Sequence, residues 1–308
     1  MRRWLPGLLA CVSAVTALAG QQPAQFHSAT DLVTVYVTVT DRAGQLISDL
    51  GTDDFTVSDN GTPREIVAFS NERQPITVAL MLDMSGSMRP VELRLRQAAE
   101  AFVGSLLPGD RASLSTLSRG PTKLTSNVAS VAEILRLGLP MDFGSPIWAG
   151  LDRTMRSLES EAGRRAIVAF TDGKDAGGIV VPPAAVSADH VDMLRMTPLK
   201  PPSPPTPTEL SQRAEREGFV VYAIGFQGSD FDRTVKSIAN NSGGRALQLK
   251  RDDDLRLAFT GIANELHHQY LIGFSPGASD GKVHTVEIKM RPSGLKARAR
   301  KTYVAEPR

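Results

Sequence analysis

The pattern of apolar and polar residues divides the chain into two β-rich ends and a centre in which strands and helices alternate. Between residues 31 and 70, apolar residues recur at every second position, which predicts strands at LVTVYVTVT, DFTVSDNG and REIVAFS, with a hairpin turn at Asn60-Gly61. From residue 270 onward, YLIGFSP, VHTVEIKMRP and LKARARKTYV again favour strands. Because two or three isolated strands are only marginally stable, we expect the two ends to pair into one β-sandwich.

The centre of the chain, residues 76–268, alternates between the two periodicities. Apolar runs predict strands at ITVALMLD, RASLSTLSR, PTKLTSN, RAIVAFTD, FVVYAIGF and RALQLK. Helical spacing predicts helices at VELRLRQAAEAFVGSLL, VASVAEILRLGL, IWAGLDRTMRSL, DRTVKSIANNSGG and DDLRLAFTGIANELHHQ. This alternation predicts an α/β fold, a doubly wound and mostly parallel sheet with helices on both faces, inserted between the β ends.

The N-terminal residues resemble a targeting segment. MRRW is basic, Leu5 to Ala19 is apolar, and Ala17-Leu18-Ala19 has the form of a cleavage site, so residues 1–19 are predicted to be a secretory signal peptide. The alternative is an N-terminal core helix. We therefore expect an exported protein, periplasmic or extracellular at the cell envelope, with no transmembrane segment because no second apolar run is long enough.

Five segments follow from these patterns: a signal peptide (1–19), a linker (20–30), an N-terminal β segment (31–75), an α/β domain (76–268) and a C-terminal β segment (269–308). The α/β domain contains a proline-rich insertion, residues 176–208, with eight of the chain's 20 prolines. The only cysteine, Cys11, would leave with the signal peptide, so the mature chain has no disulfide. The formal net charge of +2 and the dispersed basic residues argue against a nucleic-acid partner.

The first predicted strand of the centre ends in a group of oxygen-bearing side chains. ITVALML leads directly into Asp83, Ser85 and Ser87, which suit a hard divalent cation such as Mg²⁺. The strand RAIVAFTD ends in Asp172, and a doubly wound sheet brings the ends of these two strands to the same crevice. The sequence therefore predicts a metal site at this edge of the sheet.

The pattern Asp83-x-Ser85-x-Ser87 resembles the first loop of the metal-ion-dependent adhesion site of von Willebrand factor A domains. In that family a threonine before a helix supplies another hydroxyl, and Ser145 takes this position here. The resemblance implies that Ser85, Ser87 and Ser145 bind Mg²⁺, or Mn²⁺ or Ca²⁺, directly and that Asp83 and Asp172 hold coordinated waters. The β ends resemble the flanking segments of the acidobacterial von Willebrand factor A-related family.

The resemblance implies a non-enzymatic, adhesion-type protein that captures an Asp or Glu of a partner protein or peptide through the metal. We expect Met84, Met88, Pro146 and Ile147 to form an apolar rim around the contact. The functional alternative is a structural scaffold of the cell envelope in which the metal only stabilises the loops. The structural alternative makes Asp83 a helix cap, the serines turn residues and Asp172 an ordinary loop acid.

Two further patterns point to enzymes or to zinc. Gly273-x-Ser275-x-Gly277 matches a nucleophile elbow, but a turn and another strand are predicted after it where the elbow requires a helix. His267 and His268 end a predicted helix, where adjacent residues face different directions and histidines suit the helix C-terminus better than a zinc site.

Overall fold

The computed structural model describes residues 32–142, 144–171, 175, 177–178, 205–225, 233–249 and 254–307. The predicted signal peptide and linker, Asp172, and most of the proline-rich insertion lie outside the described residues.

The strands fall into three groups along the chain. The N-terminal strands are β1 (Val33–Thr40), β2 (Phe55–Asp59), β3 (Thr62–Arg64) and β4 (Ile66–Ser70). The central strands are β5 (Ile76–Leu82), β6 (Arg111–Thr116), β7 (Gly144–Ser145), β8 (Arg164–Thr171), β9 (Gly177–Gly178), β10 (Val220–Gly225) and β11 (Ala246–Gln248). The C-terminal strands are β12 (Tyr270–Phe274), β13 (Val283–Met290), β14 (Lys296–Arg298) and β15 (Thr302–Val304).

The helices lie in the centre of the chain. They are α1 (Glu92–Gly104), α2 (Val128–Leu137), α3 (Ile147–Ser157), α4 (Pro207–Glu217), α5 (Arg233–Asn241) and α6 (Asp254–His267). The apolar side chains of α1, α2 and α6 form one core with the sheet, and those of α3, α4 and α5 form a second core. Helices therefore cover both faces of the sheet, as predicted. Within the described ranges, the helices are all too short or too polar to cross a membrane.

The central sheet has the order β11-β10-β8-β5-β6, and its neighbouring strands are parallel. The prediction of a strand at PTKLTSN is wrong, because this segment forms only an isolated bridge between Thr125 and Ala112. Pro121 has no N–H to donate to a ladder, and the Leu114 N–H donates to the Thr122 hydroxyl instead of to a backbone carbonyl. The segment thus runs beside β6 without completing a strand.

The two β ends form one sandwich, as predicted. One sheet has the order β14-β1-β12-β4 and the other β15-β13-β2-β3, so each sheet contains strands from both ends of the chain. Alternate residues of β1, including Val35 and Val37, pack with Phe55, Tyr270 and Phe274 in a shared core.

The chain changes sheets at two places that the apolar pattern did not reveal. After the hairpin of β2 and β3, the segment REIVAFS crosses over, and its strand β4 pairs with β12. LKARARKTYV was expected to be one strand, but it divides into β14, which pairs with β1, and β15, which pairs with β13. A segment that crosses between the two sheets still alternates between apolar and polar residues. The periodicity alone therefore does not show where one strand ends and the next begins.

Glu265 of α6 connects the sandwich with the α/β part. This buried carboxylate accepts hydrogen bonds from the Tyr222 hydroxyl of β10 and from the Arg298 guanidinium of β14. Arg245, just before β11, lies 3.3 Å from the other carboxylate oxygen. Side chains from both parts of the molecule therefore converge on one acid.

Candidate metal-binding site

The predicted site begins where β5 ends. Every residue of β5 is buried, and its parallel pairing with β8 sets Leu82 opposite Phe170. The next residue, Asp83, donates its N–H to the Phe170 carbonyl at 2.8 Å, and its Oδ2 accepts the Thr171 hydroxyl at 2.9 Å. The two strand ends thus lie side by side, as the topology predicted. Asp172 directly follows Thr171, but its own side chain is outside the described residues.

The segment after Asp83 forms a tight turn. Ser85 is extended (φ −66°, ψ 166°), and a 3₁₀ turn over Gly86–Met88 follows, held by the buried Met88. The Ser85 N–H donates to Asp83 Oδ1 at 2.9 Å, and the Oγ atoms of Ser85 and Ser87 are 3.1 Å apart. Asp83 therefore also supports the turn in which Ser85 and Ser87 lie.

The helix-cap interpretation of Asp83 is wrong. α1 begins only at Glu92, and Val91 occupies its N-cap position. Ser85 precedes the 3₁₀ turn without a side-chain cap hydrogen bond there, so its hydroxyl is not used for capping.

Ser145 is held by a short ladder between two loops. β7 pairs with β9 so that Ser145 faces Gly177, and the Ile147 N–H at the start of α3 donates to Asp175 Oδ1 at 2.8 Å. The Asp175 carboxylate is placed where the helix macrodipole favours negative charge. The loop of Ser145 and the loop after β8 are therefore tied together beside the ends of β5 and β8.

Asp142 is a central residue of this edge that our sequence reasoning missed. Its Oδ1 accepts hydrogen bonds from the Thr116 hydroxyl and the Ser118 N–H, and its Oδ2 accepts from the N–H groups of Met84 and Leu117. Its own N–H donates to the Met84 carbonyl at 2.9 Å. The sequence does show an acid three residues before Ser145, the hydroxyl predicted to bind the metal. Nothing in the sequence, however, indicates which groups this acid contacts.

The described donor atoms fit a hard divalent cation. Asp83 is fully buried, and Ser85 and Ser145 are only 5% and 6% exposed. Ser87 is exposed, so the proposed site is open to solvent on the side of Ser87. Adjacent ligands of an octahedral Mg²⁺ lie about 2.9 Å apart, which is close to the observed Ser85–Ser87 separation of 3.1 Å. Among the described residues, no cluster of three or more His, Cys, Asp or Glu side chains is arranged to hold a metal.

The expected apolar rim is wrong. Met84, Met88 and Ile147 are at most 2% exposed, and Pro146 is buried as well. These side chains pack into the interior and hold the loops in place, whereas Ser87 points to the solvent. Among the large hydrophobic side chains that the structure describes, the exposed one that follows this turn most closely in sequence is Leu93 in the first turn of α1, which is 60% exposed.

A scan against protein-family models matches residues 78–174 to the von Willebrand factor type A domain. This part of the chain is a von Willebrand factor A domain. The match contains Asp83, Ser85, Ser87, Ser145 and Asp172, and it confirms the resemblance over this range. The likeness of the β ends to the acidobacterial family stays a prediction. No curated protein matches the sequence.

The chain also resembles several solved structures, at low sequence identity and with TM-scores below 0.5. A von Willebrand factor type A protein from Catenulispora acidiphila is 15% identical, with a TM-score of 0.48, over 82% of this chain and 73% of that chain. Proximal thread matrix protein 1 from the mussel byssus is 15% identical, with a TM-score of 0.47, over 63% of this chain and 49% of that chain. The vWF domain of the type V pili tip protein Mfa5 from Porphyromonas gingivalis is 17% identical, with a TM-score of 0.43, over 62% of this chain and 95% of that chain. The chain thus spans about half the length of the mussel protein.

The other sequence candidates occupy different places. Ser275 lies in the loop after β12, and the strand β13 follows it, so the helix that a nucleophile elbow requires is replaced by a strand. His267 is buried and its Nε2 lies 2.7 Å from Asp110 Oδ2, whereas His268 is half-buried beside Arg73. The two histidines face different directions, as predicted from their adjacent positions on a helix end.

Proposed function

We propose that the von Willebrand factor A domain binds Mg²⁺ or Mn²⁺ through Ser85, Ser87, Ser145, Asp83 and Asp172 and captures an acidic residue of a partner protein. The observation that carries the proposal is the arrangement after β5. Two serine hydroxyls lie 3.1 Å apart above a buried aspartate, and α1 is capped elsewhere. The protein is then an adhesion-type binding module.

The side chains of the proposed site have different roles in binding the metal. Ser85, Ser87 and Ser145 offer neutral oxygens, and Asp83 lies beneath them with both carboxylate oxygens held by the Ser85 N–H and the Thr171 hydroxyl. When bound, the cation would supply a positive centre that attracts an anionic oxygen. Because the hydroxyls carry no charge, a partner carboxylate complements this site better than an amide does.

Exposed leucines give the partner an apolar surface near the proposed site. Leu93 opens α1, and Leu137 ends α2 with 82% exposure. The end of α2 packs beside the start of α1, since Arg96 donates to the carbonyls of Leu135 and Arg136. We propose that Leu93 and Leu137, in place of the buried methionines, contact the partner beside its acidic residue.

Calorimetric titration with Mn²⁺ tests the metal. We expect one site in the wild type and an affinity at least about tenfold weaker in Asp83→Asn and Ser87→Ala. The matched control is Ser126→Ala, an exposed serine before α2 at the opposite edge of the sheet, which should bind like the wild type. Equal binding by all four proteins would contradict the site assignment.

Selection from a displayed peptide library in Mg²⁺ tests the partner chemistry. Selected peptides should contain an Asp or Glu whose change to Asn or Gln abolishes binding, and EDTA should release them while circular dichroism shows the fold intact. Leu93→Ser should weaken capture without changing the affinity for Mn²⁺. Peptides that bind equally in EDTA would show that partner recognition uses another surface.

A structural scaffold of the cell envelope is the second candidate, favoured by the sandwich that both chain ends build. In that case Mn²⁺ would raise the melting temperature, and the library would yield no metal-dependent peptide. We also propose export, on the basis of the basic and apolar N-terminus with Ala17-Leu18-Ala19. Mass spectrometry of the protein recovered from the cell envelope should then find the mature chain beginning near residue 20.

A further inference from the structure

Asp142 is saturated with protein hydrogen bonds. An ionised carboxylate offers roughly four lone-pair sites. The hydroxyl of Thr116 and three backbone N–H groups, at 2.9 to 3.1 Å, fill two sites on each oxygen. A metal ion would have to displace one of these donors, and a buried N–H that loses its acceptor is costly. The residue is therefore unsuited to bind a metal directly.

The bonds of Asp142 fix the peptide units between the two inner residues of the proposed site. Met84 lies between Asp83 and Ser85, and it donates its N–H to Asp142 Oδ2 at 3.0 Å while its carbonyl accepts the Asp142 N–H at 2.9 Å. With both polar groups of Met84 held, the backbone that directs the side chains of Asp83 and Ser85 has little freedom to rotate. Sites of this kind need their groups held within about 0.5 Å.

The same residue connects this loop with two other segments. Its remaining bonds hold Thr116 at the end of β6 and the two residues after it, Leu117 and Ser118. Ser145 lies three residues further along the loop of Asp142. Arg153 of α3 donates to the Leu117 carbonyl, and although burial lowers the pKa of Arg153, the nearby charges of Asp142 and Asp152 oppose that shift. A cation thus supports the acid from the side of α3.

We propose that Asp142 is a positioning residue for the metal site, which holds the loop of Asp83 and Ser85 at a fixed place relative to the loop of Ser145. This inference rests on the proposed function. The donors present suit a carboxylate and not an amide, since the NH₂ group of an asparagine would face N–H or O–H donors on one side.

The test compares the Mn²⁺ affinity of the wild type and Asp142→Asn by calorimetry at 15 °C, with near-UV circular dichroism to show that each protein is folded. We expect the affinity of Asp142→Asn to be about 10- to 100-fold weaker. The matched control is Asp110→Asn. Asp110 is also a buried acid that accepts backbone N–H groups, from Ile76 and Leu107, but at the opposite edge of the sheet.

A purely structural role would lower the melting temperature of both variants and leave both affinities unchanged, which would overturn the inference. If Asp142→Asn does not fold, Thr116→Val replaces it, because this change removes a single donor, and we expect an affinity about two- to tenfold weaker. Unchanged affinity in Thr116→Val would then overturn the inference. Failure of the wild type itself to bind Mn²⁺ would contradict the proposed function, and the inference with it.

Discussion

Asp59 at the end of β2 shows how a single buried acid makes the sandwich sensitive to pH. Burial raises the pKa of Asp59, but the Gly277 N–H at 2.7 Å and His284 Nδ1 at 2.8 Å outweigh it, so the pKa lies below its usual range. A carboxyl group whose pKa is lowered by folding stabilises the protein above its unfolded pKa of about 3.9, and this contribution is lost as the pH falls through the folded value.

We therefore expect the melting temperature of the wild type to fall as the pH drops below the unfolded pKa of about 3.9. Asp59→Asn should melt lower at pH 6 and lose less on acidification, since part of the pH-dependent contribution is gone. Scanning calorimetry at several pH values measures both effects, with the exposed Asp53→Asn as control. A variant curve parallel to that of the wild type would assign the acid sensitivity to other groups.

At the scale of residues, the sequence predicted the positions of possible ligands better than their support. Asp83, Ser85 and Ser87 could be chosen because oxygen-bearing side chains directly follow a buried strand. Asp142 could not be assigned a role, because its partners, Met84 and the segment 116–118, lie 24 to 58 positions away. Hydrogen bonds to backbone N–H groups leave no pattern in the residue types of the partners, so only the fold reveals them.

Among the elements, the turn between α5 and β11 is tightly constrained by a close backbone contact. A Cβ on Gly244 would lie 1.9 Å from the Val221 carbonyl oxygen, because the turn crosses directly over β10. Gly244→Ala forces the backbone of this turn to move, and we expect the free energy of unfolding to fall by about 2–3 kcal/mol. Urea denaturation measures the change.

The control is Gly51→Ala, where a Cβ would meet nothing within 4 Å and the backbone has a negative φ of −101°. Its stability should stay within about 0.5 kcal/mol of the wild type. A similar loss in both variants would show that the contact with Val221 does not set the cost, since the entropic effect of Gly→Ala on the unfolded chain is stabilising.

Strands and helices were predicted correctly where the apolar periodicity agrees with the burial of the side chains. The predictions failed at the edge of the central sheet and where a segment crosses between the two sheets of the sandwich. β5 and β8 are buried throughout their core residues and were assigned from their apolar runs alone. The segment around Thr125 carries strand-forming residues but lies at the edge of the sheet, where a proline and a threonine hydroxyl replace backbone partners. Which group replaces a backbone hydrogen-bond partner depends on residues distant in sequence, and the local strand propensity carries no information about them.

In the whole molecule, Glu265 makes the stability of the sandwich depend on the α/β part. Replacing it with alanine leaves the half-buried guanidinium of Arg298 and the buried hydroxyl of Tyr222 without their shared acceptor. We expect the free energy of unfolding to fall by about 3–5 kcal/mol in Glu265→Ala, as for other buried pairs that lose one partner.

Glu133→Ala on the exposed side of α2 should change stability little and serves as the control. Urea unfolding followed by tryptophan fluorescence, which reports on Trp148 in α3, and by far-UV circular dichroism measures both parts of the molecule. A loss below about 1 kcal/mol in Glu265→Ala would mean that the two parts are stabilised independently.

The place where the chain leaves and re-enters the sandwich has a consequence for the origin of this architecture. β4 ends at Ser70 and β12 begins at Tyr270, and these strands are antiparallel neighbours in which Ser70 pairs with Leu271. Antiparallel neighbours need only a two-residue turn between them, such as the one at Asn60-Gly61. The α/β part thus occupies the position of a hairpin turn, with its two ends side by side. It has the geometry of a cassette that can be grafted into the turn of another β-hairpin, and a short turn in its place would restore a sandwich with its strand order unchanged.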